Sequence, residues 1–257
     1  MEKHPVKFVG AGPGDPELIT VKGQKALKKA DLLIYAGSLV PEAVVSWAKT
    51  GVRLENSASM HLEQILGLIK EGYHQGKRVV RLHSGDPSLY GAIFEQMSLL
   101  RETGIPYEVI PGVTAAFAAA AAMGIEYTLP EICQTLILTR MAGRTPVPDL
   151  ESLTSLAAHQ ASLAVYLSSS LAEKVSFVLS KAYGKDAPVV VAYRVSRPDQ
   201  KIIHTTAEKL AEIMQKEKID RQALIIAGKV LEYSDKDFAM SKLYDPTFSH
   251  GFRKANA

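Results

Sequence analysis

The chain has 257 residues, 47% hydrophobic and 22% charged, so it can bury one large core or two modest ones and is expected to be globular. Lys and Arg are interspersed with Asp and Glu and the net charge is only +3, which argues against a nucleic-acid-binding surface. No segment approaches the roughly 18 uninterrupted apolar residues of a membrane span, and the single cysteine, Cys133, gives no disulfide framework. We therefore expect a cytoplasmic protein with Cys133 as a buried, small apolar residue.

Short β-branched runs alternate with amphipathic segments along the first 112 residues, which predicts a parallel sheet flanked by helices. The expected strands are Lys7–Val9, Leu32–Tyr35, Val52–Glu55, Val79–His83 and Tyr107–Ile110. The expected helices are Val21–Lys29, Pro41–Trp47, Leu62–His74 and Tyr90–Glu102. Residues 1–112 are therefore predicted to form an N-terminal α/β domain.

An alanine-rich helix after Thr114 follows the break at Pro111-Gly112 and is expected to join two domains. Further strands are predicted at Gln134–Thr139, Leu163–Ser168, Val189–Tyr193, Lys201–Thr205 and Ala223–Ala227, with helices at Asp149–His159, Leu171–Ala182 and Ala207–Lys216. The gap between Tyr193 and Lys201 is too short for a crossover helix, so the second sheet must contain antiparallel pairs. Residues 113–231 are predicted to form this mixed α/β domain, and residues 232–257 a C-terminal tail.

A glycine-rich turn, Gly10-Ala11-Gly12-Pro13-Gly14-Asp15-Pro16, follows the first strand and precedes a helix. It departs from the dinucleotide-binding fingerprint, because Pro13 stands between two of the glycines and the next strand ends in Gly37-Ser38 without a carboxylate. A nicotinamide cofactor is therefore disfavoured.

A second glycine turn, Ser84-Gly85-Asp86-Pro87-Ser88, follows the fourth predicted strand. Both turns contain Gly-Asp-Pro and fall at the carboxyl edge of the same predicted sheet, where open α/β sheets bind ligands. One isolated copy would indicate a turn, whereas two equivalent copies favour a binding site. Of the nearby histidines, His61 and His83, backbone-bonded roles are favoured over substrate contact, and no histidine has metal-ligand spacing.

These two turns, together with Pro111-Gly112-Val113-Thr114, resemble the S-adenosylmethionine-dependent tetrapyrrole methyltransferases, and the resemblance extends to about Leu231. It implies the tetrapyrrole methylase fold: two α/β domains, a mainly parallel N-terminal sheet, a mixed C-terminal sheet and a ligand cleft between them. It also implies S-adenosyl-L-methionine as cofactor, a tetrapyrrole as substrate and a homodimer. Because the histidines lack metal-ligand spacing, we expect no metal site on the protein and any cobalt to arrive within the substrate.

Three further segments resemble the precorrin-4 C-11 methyltransferases of cobalamin synthesis: Met60–Glu63, Tyr90–Met97 and Thr139–Pro148. That resemblance implies methylation at C-11 of precorrin-4 or cobalt-precorrin-4, giving the corresponding precorrin-5. The segment Ser241–Gly251 is similar to extensions in the cobalt branch and favours the cobalt substrate. The alternatives are a methylase of another ring position and a protein that binds the tetrapyrrole or cofactor without turnover.

The resemblance also assigns site residues by position. The implied cofactor contacts are Pro13, Gly85, Asp86, Leu89, Thr114, Ala115, Leu167, Val195 and Ala227. The family often has Met at position 167 and a small residue at position 195. The implied substrate contacts are Asp15, Met60, Tyr90, Arg140 and Arg144. The two arginines are expected to meet substrate carboxylates, because a planar guanidinium can donate two parallel hydrogen bonds. No catalytic residue is assigned, since methyl transfer chiefly needs alignment of the reacting atoms.

Overall fold

A computed structural model describes residues 3–232 and 241–255. The chain divides into two compact units: Met1–Ala119 with Arg194–Gln200, and Ala120–Tyr193 with Lys201–Ala257. The division therefore falls seven residues after the predicted boundary, and the segment Arg194–Gln200 packs with the first unit. Within the described residues, no helix is long and apolar enough to cross a membrane.

The first unit is built on a five-stranded parallel sheet, as the sequence predicts. Its strands are β1 (Val6–Gly10), β2 (Leu32–Tyr35), β3 (Arg53–Asn56), β4 (Val79–His83) and β5 (Tyr107–Ile110), in the order β3-β2-β4-β1-β5. The helices between them are α1 (Val21–Lys29), α2 (Glu42–Val45), α3 (Leu62–His74) and α4 (Phe94–Glu102).

Helices cover both faces of this sheet because successive strand residues point to opposite sides. Val9 and Leu82 pack in one apolar cluster with residues of α1 and α2. Phe8 and Ile34 pack in the other with residues of α3 and α4. The sheet is therefore the middle layer of three, which explains why its inner strands β1, β2 and β4 are mostly apolar and buried.

The second unit contains a mixed five-stranded sheet, which confirms the predicted antiparallel pairs. After α5 (Ala115–Met123), which crosses the boundary between the units, come β6 (Leu136–Arg140), α6 (Leu153–Ala157), β7 (Ser162–Tyr166), α7 (Ala172–Tyr183), β8 (Pro188–Tyr193), β9 (Lys201–Thr206), α8 (Leu210–Lys216) and β10 (Ala223–Ala227). The order is β6-β7-β10-β8-β9, and only β6 and β7 are parallel. Its core lies between the sheet and residues of α6, α7 and α8.

The main departures from the predicted elements occur where the backbone leaves helical geometry. Helix α4 begins at Phe94 instead of Tyr90, because Tyr90 and Ala92 have positive φ angles of 56° and 48°. The helix predicted over Asp149–His159 is a 3-10 turn followed by α6.

Cys133 is half-buried, less than the sequence predicts, and its Sγ accepts a hydrogen bond from the Ser162 backbone N–H at 3.2 Å.

The predicted tail has local order where the structure describes it. A 3-10 turn spans Lys242–Tyr244, and the Arg253 guanidinium donates to the carbonyls of Leu243, Asp245 and Phe248. Residues 233–240 and 256–257 of the tail lie outside the described residues.

Three glycines allow the loops after β1, β4 and β5 to pack backbone against backbone. A Cβ on Gly112 would lie 2.2 Å from the Gly85 carbonyl oxygen and 2.8 Å from the Gly10 Cα. A Cβ on Gly10 would lie 2.6 Å from the Gly112 Cα. Any larger residue at Gly10 or Gly112 would therefore separate the loops.

We predict that Gly112→Ala lowers the free energy of unfolding by about 1–3 kcal/mol, because the added methyl group overpacks rigid backbone. The matched control is Gly67→Ala in α3, where a Cβ meets nothing within 4 Å. That substitution should instead stabilise by about 0.5–1 kcal/mol through the better helix propensity of alanine. Urea unfolding of both variants decides the matter, and equal stability of Gly112→Ala and the parent protein would contradict the packing argument.

Candidate functional site

The two Gly-Asp-Pro loops are joined directly at the carboxyl edge of the first sheet. Beyond β1, the backbone N–H of Ala11 donates to the His83 carbonyl at 2.7 Å. Gly12 and Gly85 then exchange two backbone hydrogen bonds, of 3.2 and 2.8 Å. An antiparallel bridge beyond the parallel strands β1 and β4 therefore brings the two predicted loops together.

Both Gly-Asp-Pro aspartates cap the turn that follows them. Asp15 Oδ1 accepts from the Glu17 N–H and Asp86 Oδ1 accepts from the Ser88 N–H, each at 2.8 Å. Asp86 Oδ2 also accepts from the Gly112 N–H at 2.8 Å. The Asp86 carboxylate thus ties the loop after β4 to the loop after β5. Capping a turn is the role that an isolated Gly-Asp-Pro sequence would indicate. Asp86 has this role and also links two loops.

Most residues assigned to the cofactor in the first unit lie around this link. Asp86 bonds Gly112, two residues before Thr114, and a Cβ on Gly85 would lie 3.9 Å from the Thr114 Cα. Thr114 is 8% exposed and precedes Ala115, the first residue of α5. Leu89 is half-buried in the turn closed by its N–H bond to the Asp86 carbonyl, and Pro13 is buried in the first loop. The structure therefore gathers these residues, with backbone groups prominent among them.

The segment Arg194–Gln200 adds contacts that the sequence did not reveal. Ser196 Oγ accepts from the Asp15 N–H at 3.0 Å, and the Arg197 guanidinium donates to the Leu39 carbonyl. A Cβ on Gly14 would lie 2.6 Å from the Arg197 Cγ, so Arg197 covers that glycine closely. Val195, 5% exposed, is thereby placed beside the first Gly-Asp-Pro loop. Nothing local in the sequence signals these contacts, because 181 residues separate Asp15 from Ser196.

His83, the last residue of β4, is buried and neutral. Burial, reinforced by the charge of Arg81, lowers the pKa of His83 to about 3, while a hydrogen bond to the Gly91 backbone opposes this shift. Burial also lowers the pKa of Arg81 to about 10, which still leaves Arg81 charged at neutral pH. His83 is thus held by backbone, as the sequence favoured. His61 is exposed at the start of α3, with its Nδ1 2.7 Å from Glu63 Oε2.

The other predicted substrate contacts of the first unit occupy two places. Tyr90 is 43% exposed and follows the second Gly-Asp-Pro loop. Met60 follows β3, the edge strand, and packs half-buried against the apolar cluster of α3 and α4. Because β2 separates β3 from β4 in the sheet, Met60 lies farther along the same edge than Tyr90.

In the second unit, Arg140 and Leu167 are neighbours at the carboxyl ends of two parallel strands. Arg140 is the last residue of β6 and is in register with Tyr166, the last residue of β7. Ser168 Oγ accepts from the Met141 N–H at 2.9 Å and joins the two following loops. Leu167 is 65% exposed with a φ of 51°, an unusual conformation for a large apolar residue.

Arg140, which the resemblance assigns to the substrate, is engaged by the backbone of its own loop. Its Nη1 donates to the carbonyls of Met141 and Thr145 at 3.5 and 3.2 Å, and its Nη2 to the Pro146 carbonyl at 2.7 Å. Arg144 lies in the same loop and is exposed. The structure therefore gives Arg140 the task of shaping the loop and leaves Arg144 as the better candidate for binding a carboxylate.

Ala227 and Leu167, both assigned to the cofactor by the resemblance, lie toward opposite ends of β7. Strand β10 runs antiparallel to β7, so Ala227 pairs with Leu163 near the start of β7. Leu167 follows the opposite end of β7. The sequence could not show this, since strand direction in the second sheet depends on which strands pair.

Comparison with known proteins defines the class of molecule that carries these loops. The family Tetrapyrrole (Corrin/Porphyrin) Methylases matches residues 5–211, and the chain belongs to this family. A cobalt-precorrin-4 C(11)-methyltransferase of Priestia megaterium is 49% identical over 250 residues, covering 96% of this chain and 96% of the relative.

Solved structures agree in fold. A cobalt precorrin-4 methyltransferase, described as a cobalamin biosynthetic enzyme, aligns with a TM-score of 0.86 at 48% identity, covering 88% of this chain and 95% of that one. A uroporphyrin-III C-methyl transferase from Thermus thermophilus, complexed with S-adenosylhomocysteine, aligns with a TM-score of 0.74 at 28% identity, covering 89% of this chain and 99% of that one. The predicted tetrapyrrole methylase fold is confirmed.

We predict that Asp86→Asn destabilises the protein by roughly 1–3 kcal/mol, because an amide offers one acceptor oxygen where the chain uses two, leaving the Gly112 N–H facing another donor. Asp15→Asn is the matched control, since Asp15 accepts one backbone N–H and an asparagine oxygen can replace that interaction. Thermal and urea unfolding of the pair provide the measurement. Equal stability of the two variants would show that the Asp86–Gly112 bond contributes nothing.

Proposed function

We propose that this protein transfers a methyl group from S-adenosyl-L-methionine to C-11 of precorrin-4, and that the cobalt-containing form is its preferred substrate. The main support is near-full-length similarity to a cobalt-precorrin-4 C(11)-methyltransferase, in a chain that keeps both Gly-Asp-Pro loops and the Arg140–Pro148 segment. The similarity of Ser241–Gly251 to extensions in the cobalt branch supports the choice of substrate form.

Methyl transfer depends more on the alignment of the reacting atoms than on reactive side chains. In the proposed reaction the bond between sulfur and the methyl group breaks, a carbon–carbon bond forms at C-11, the sulfonium becomes a neutral thioether, and a proton leaves the product. The reacting atoms must be held roughly 3 to 3.5 Å apart and in line. Loops fixed by backbone packing suit this requirement, and no covalent nucleophile is needed.

The proposed cofactor contacts fall mainly on loops of the first unit. They are Pro13, Gly85, Asp86, Leu89, Thr114, Ala115 and Val195, with Leu167 and Ala227 from the second unit. Since the Asp86 carboxylate already bonds two backbone N–H groups, its proposed contribution is to hold the loop whose backbone meets the cofactor. The solved Thermus thermophilus relative in complex with S-adenosylhomocysteine supports the choice of cofactor.

The proposed substrate contacts are Asp15, Tyr90 and Arg144, and Met60 farther along the sheet edge. Arg140 is proposed to act by shaping the loop that carries Arg144. Tetrapyrroles of this kind carry acetate and propionate groups, which an exposed guanidinium binds well. We also propose a homodimer, from the family resemblance, which sedimentation velocity can test.

We expect the purified protein to add one methyl group to cobalt-precorrin-4, and to metal-free precorrin-4 more slowly, when S-adenosylmethionine with an isotope-labelled methyl is supplied. Mass spectrometry counts the transferred methyl and NMR locates it at C-11. A labelled methyl on another ring carbon would favour the alternative ring-position methylase. Binding of S-adenosylhomocysteine without any transfer to either substrate would favour a non-catalytic binding protein.

Arg144→Ala should weaken tetrapyrrole binding by tenfold or more, since a lost charge-assisted hydrogen bond is typically worth about 1.5–3 kcal/mol. Affinity for S-adenosylhomocysteine and thermal stability should not change. Arg144→Lys should recover little, because an ammonium lacks the planar fork of a guanidinium. Exposed Arg221, also in the second unit, supplies the matched control Arg221→Ala.

Arg140→Ala, measured alongside, should also weaken tetrapyrrole binding, and Arg140→Lys should not restore it, because one ammonium cannot reach the three carbonyls that the guanidinium spans. Paired calorimetric titrations with cofactor product and tetrapyrrole give the comparison. If Arg144→Ala and Arg221→Ala bind the tetrapyrrole equally well, Arg144 is solvated surface and has no part in the site.

A further inference from the structure

A tight bend over Tyr90–Ala92 separates the second Gly-Asp-Pro loop from α4. Tyr90 and Ala92 have φ angles of 56° and 48°, in the left-handed region that residues with a side chain disfavour. A Cβ on Gly91, between them, would lie 2.1 Å from the Pro87 carbonyl oxygen. Such conformations persist only where the surroundings impose them, and they cluster at functional sites.

Two buried polar side chains hold the backbone of this bend. His83, 5% exposed, forms a hydrogen bond to the Gly91 backbone. The Gly91 carbonyl is the acceptor, because this hydrogen bond raises the pKa of His83 and so favours the protonated ring. Gln96, 4% exposed, donates from its Nε2 to the Ala92 carbonyl at 3.0 Å. The carbonyls of two successive residues are therefore fixed from within the first unit.

Polar side chains at positions 83 and 96 lower the stability of the surrounding apolar core. His83 Nε2 and Gln96 Oε1 are buried, and neither has a hydrogen-bond partner among the described residues. The neighbouring Ile93 and Leu100 belong to an apolar cluster, and the His83 ring lies 6.0 Å from that of Phe8. Buried polar atoms without partners destabilise a fold, so apolar residues would suit this layer better. His83 and Gln96 instead hold the backbone of the Tyr90–Ala92 bend in its observed conformation.

The result of the bend is an exposed aromatic ring at the carboxyl edge of the sheet. Tyr90 is 43% exposed and stands four residues after Asp86, which is bonded to the loop after β5. An aromatic ring held in one orientation can stack against a planar conjugated ligand with little loss of side-chain entropy.

We propose that His83 and Gln96 are positioning residues, which hold the Tyr90–Ala92 bend so that the Tyr90 ring packs against a pyrrole ring of the substrate and sets tetrapyrrole affinity. This inference rests on the proposed function, because it names a tetrapyrrole as the ligand. The His83 imidazole is neutral at neutral pH, so it carries a single ring proton, and with Nε2 unbonded that proton lies on the Nδ1 that meets Gly91.

The first experiment separates the ring from the strain. Glycine adopts a φ of 56° readily, so Tyr90→Gly removes the ring while relaxing the backbone. Lys218 has the same φ of 56° on an exposed turn of the second unit, so Lys218→Gly is the matched control. Neither variant should unfold at a lower temperature than the parent protein. Tyr90→Gly alone should raise the tetrapyrrole KM, by roughly tenfold or more, with S-adenosylhomocysteine affinity unchanged.

The second experiment tests the positioning residues by rescue and by coupling. His83→Phe and Gln96→Met remove the two donors and should raise the tetrapyrrole KM as Tyr90→Gly does. His83→Asn should restore it, because the asparagine amide nitrogen stands close to where Nδ1 stood. Combined with Tyr90→Gly, neither His83→Phe nor Gln96→Met should raise the KM further, since residues acting through Tyr90 have nothing left to position.

The outcomes separate this inference from the proposed function. A parent protein that neither binds nor methylates the tetrapyrrole overturns both. A parent protein that methylates it, with Tyr90→Gly unchanged in KM, overturns the inference alone. Additive losses in the double variants, or equal loss of S-adenosylhomocysteine affinity, would show that His83 and Gln96 support the fold in general and would also overturn it.

Discussion

The first unit depends on the close backbone contact between the loops that leave β1, β4 and β5. Gly10 and Gly112 approach each other and the Gly85 carbonyl so closely that a Cβ added to either would strike backbone atoms. Because β1 lies between β4 and β5, these three loops meet at one edge of the sheet. The contact sets the position of Asp86 against Gly112, and so the position of most residues proposed to meet the cofactor.

Several side chains that looked like ligand-binding groups are used by the chain to hold its own backbone. Asp86 accepts two backbone N–H groups, and Arg140 donates to three backbone carbonyls. A charged side chain that is committed in this way has less hydrogen-bonding capacity left for a ligand. Ligand contact is then left to backbone groups and to exposed side chains such as Arg144, which suits a reaction that depends on alignment.

Two exposed apolar residues stand in strained backbone, one in each unit. Tyr90 has a φ of 56° and Leu167 a φ of 51°, and both follow strands at carboxyl edges. Each is accompanied by a polar residue that holds nearby backbone: His83 at Gly91, and buried Ser168 at Met141. Such strain persists only where the surrounding fold supports it. Tyr90 and Leu167 therefore depend on the polar residues that hold the backbone beside them.

The alternating strands and helices, the mixed second sheet and the family can all be predicted from the sequence, because hydrophobic periodicity and loop motifs are local properties of the chain. The sequence also places the two Gly-Asp-Pro loops at one edge of the first sheet, since parallel strands end at a common edge. The contacts that the side chains make follow from the tertiary structure. The bond from Asp86 to Gly112, the contact of Ser196 with Asp15 and the separation of Ala227 from Leu167 all join or divide residues far apart in sequence. Such contacts depend on strand order and direction, which the packing of the complete chain sets and no local pattern records.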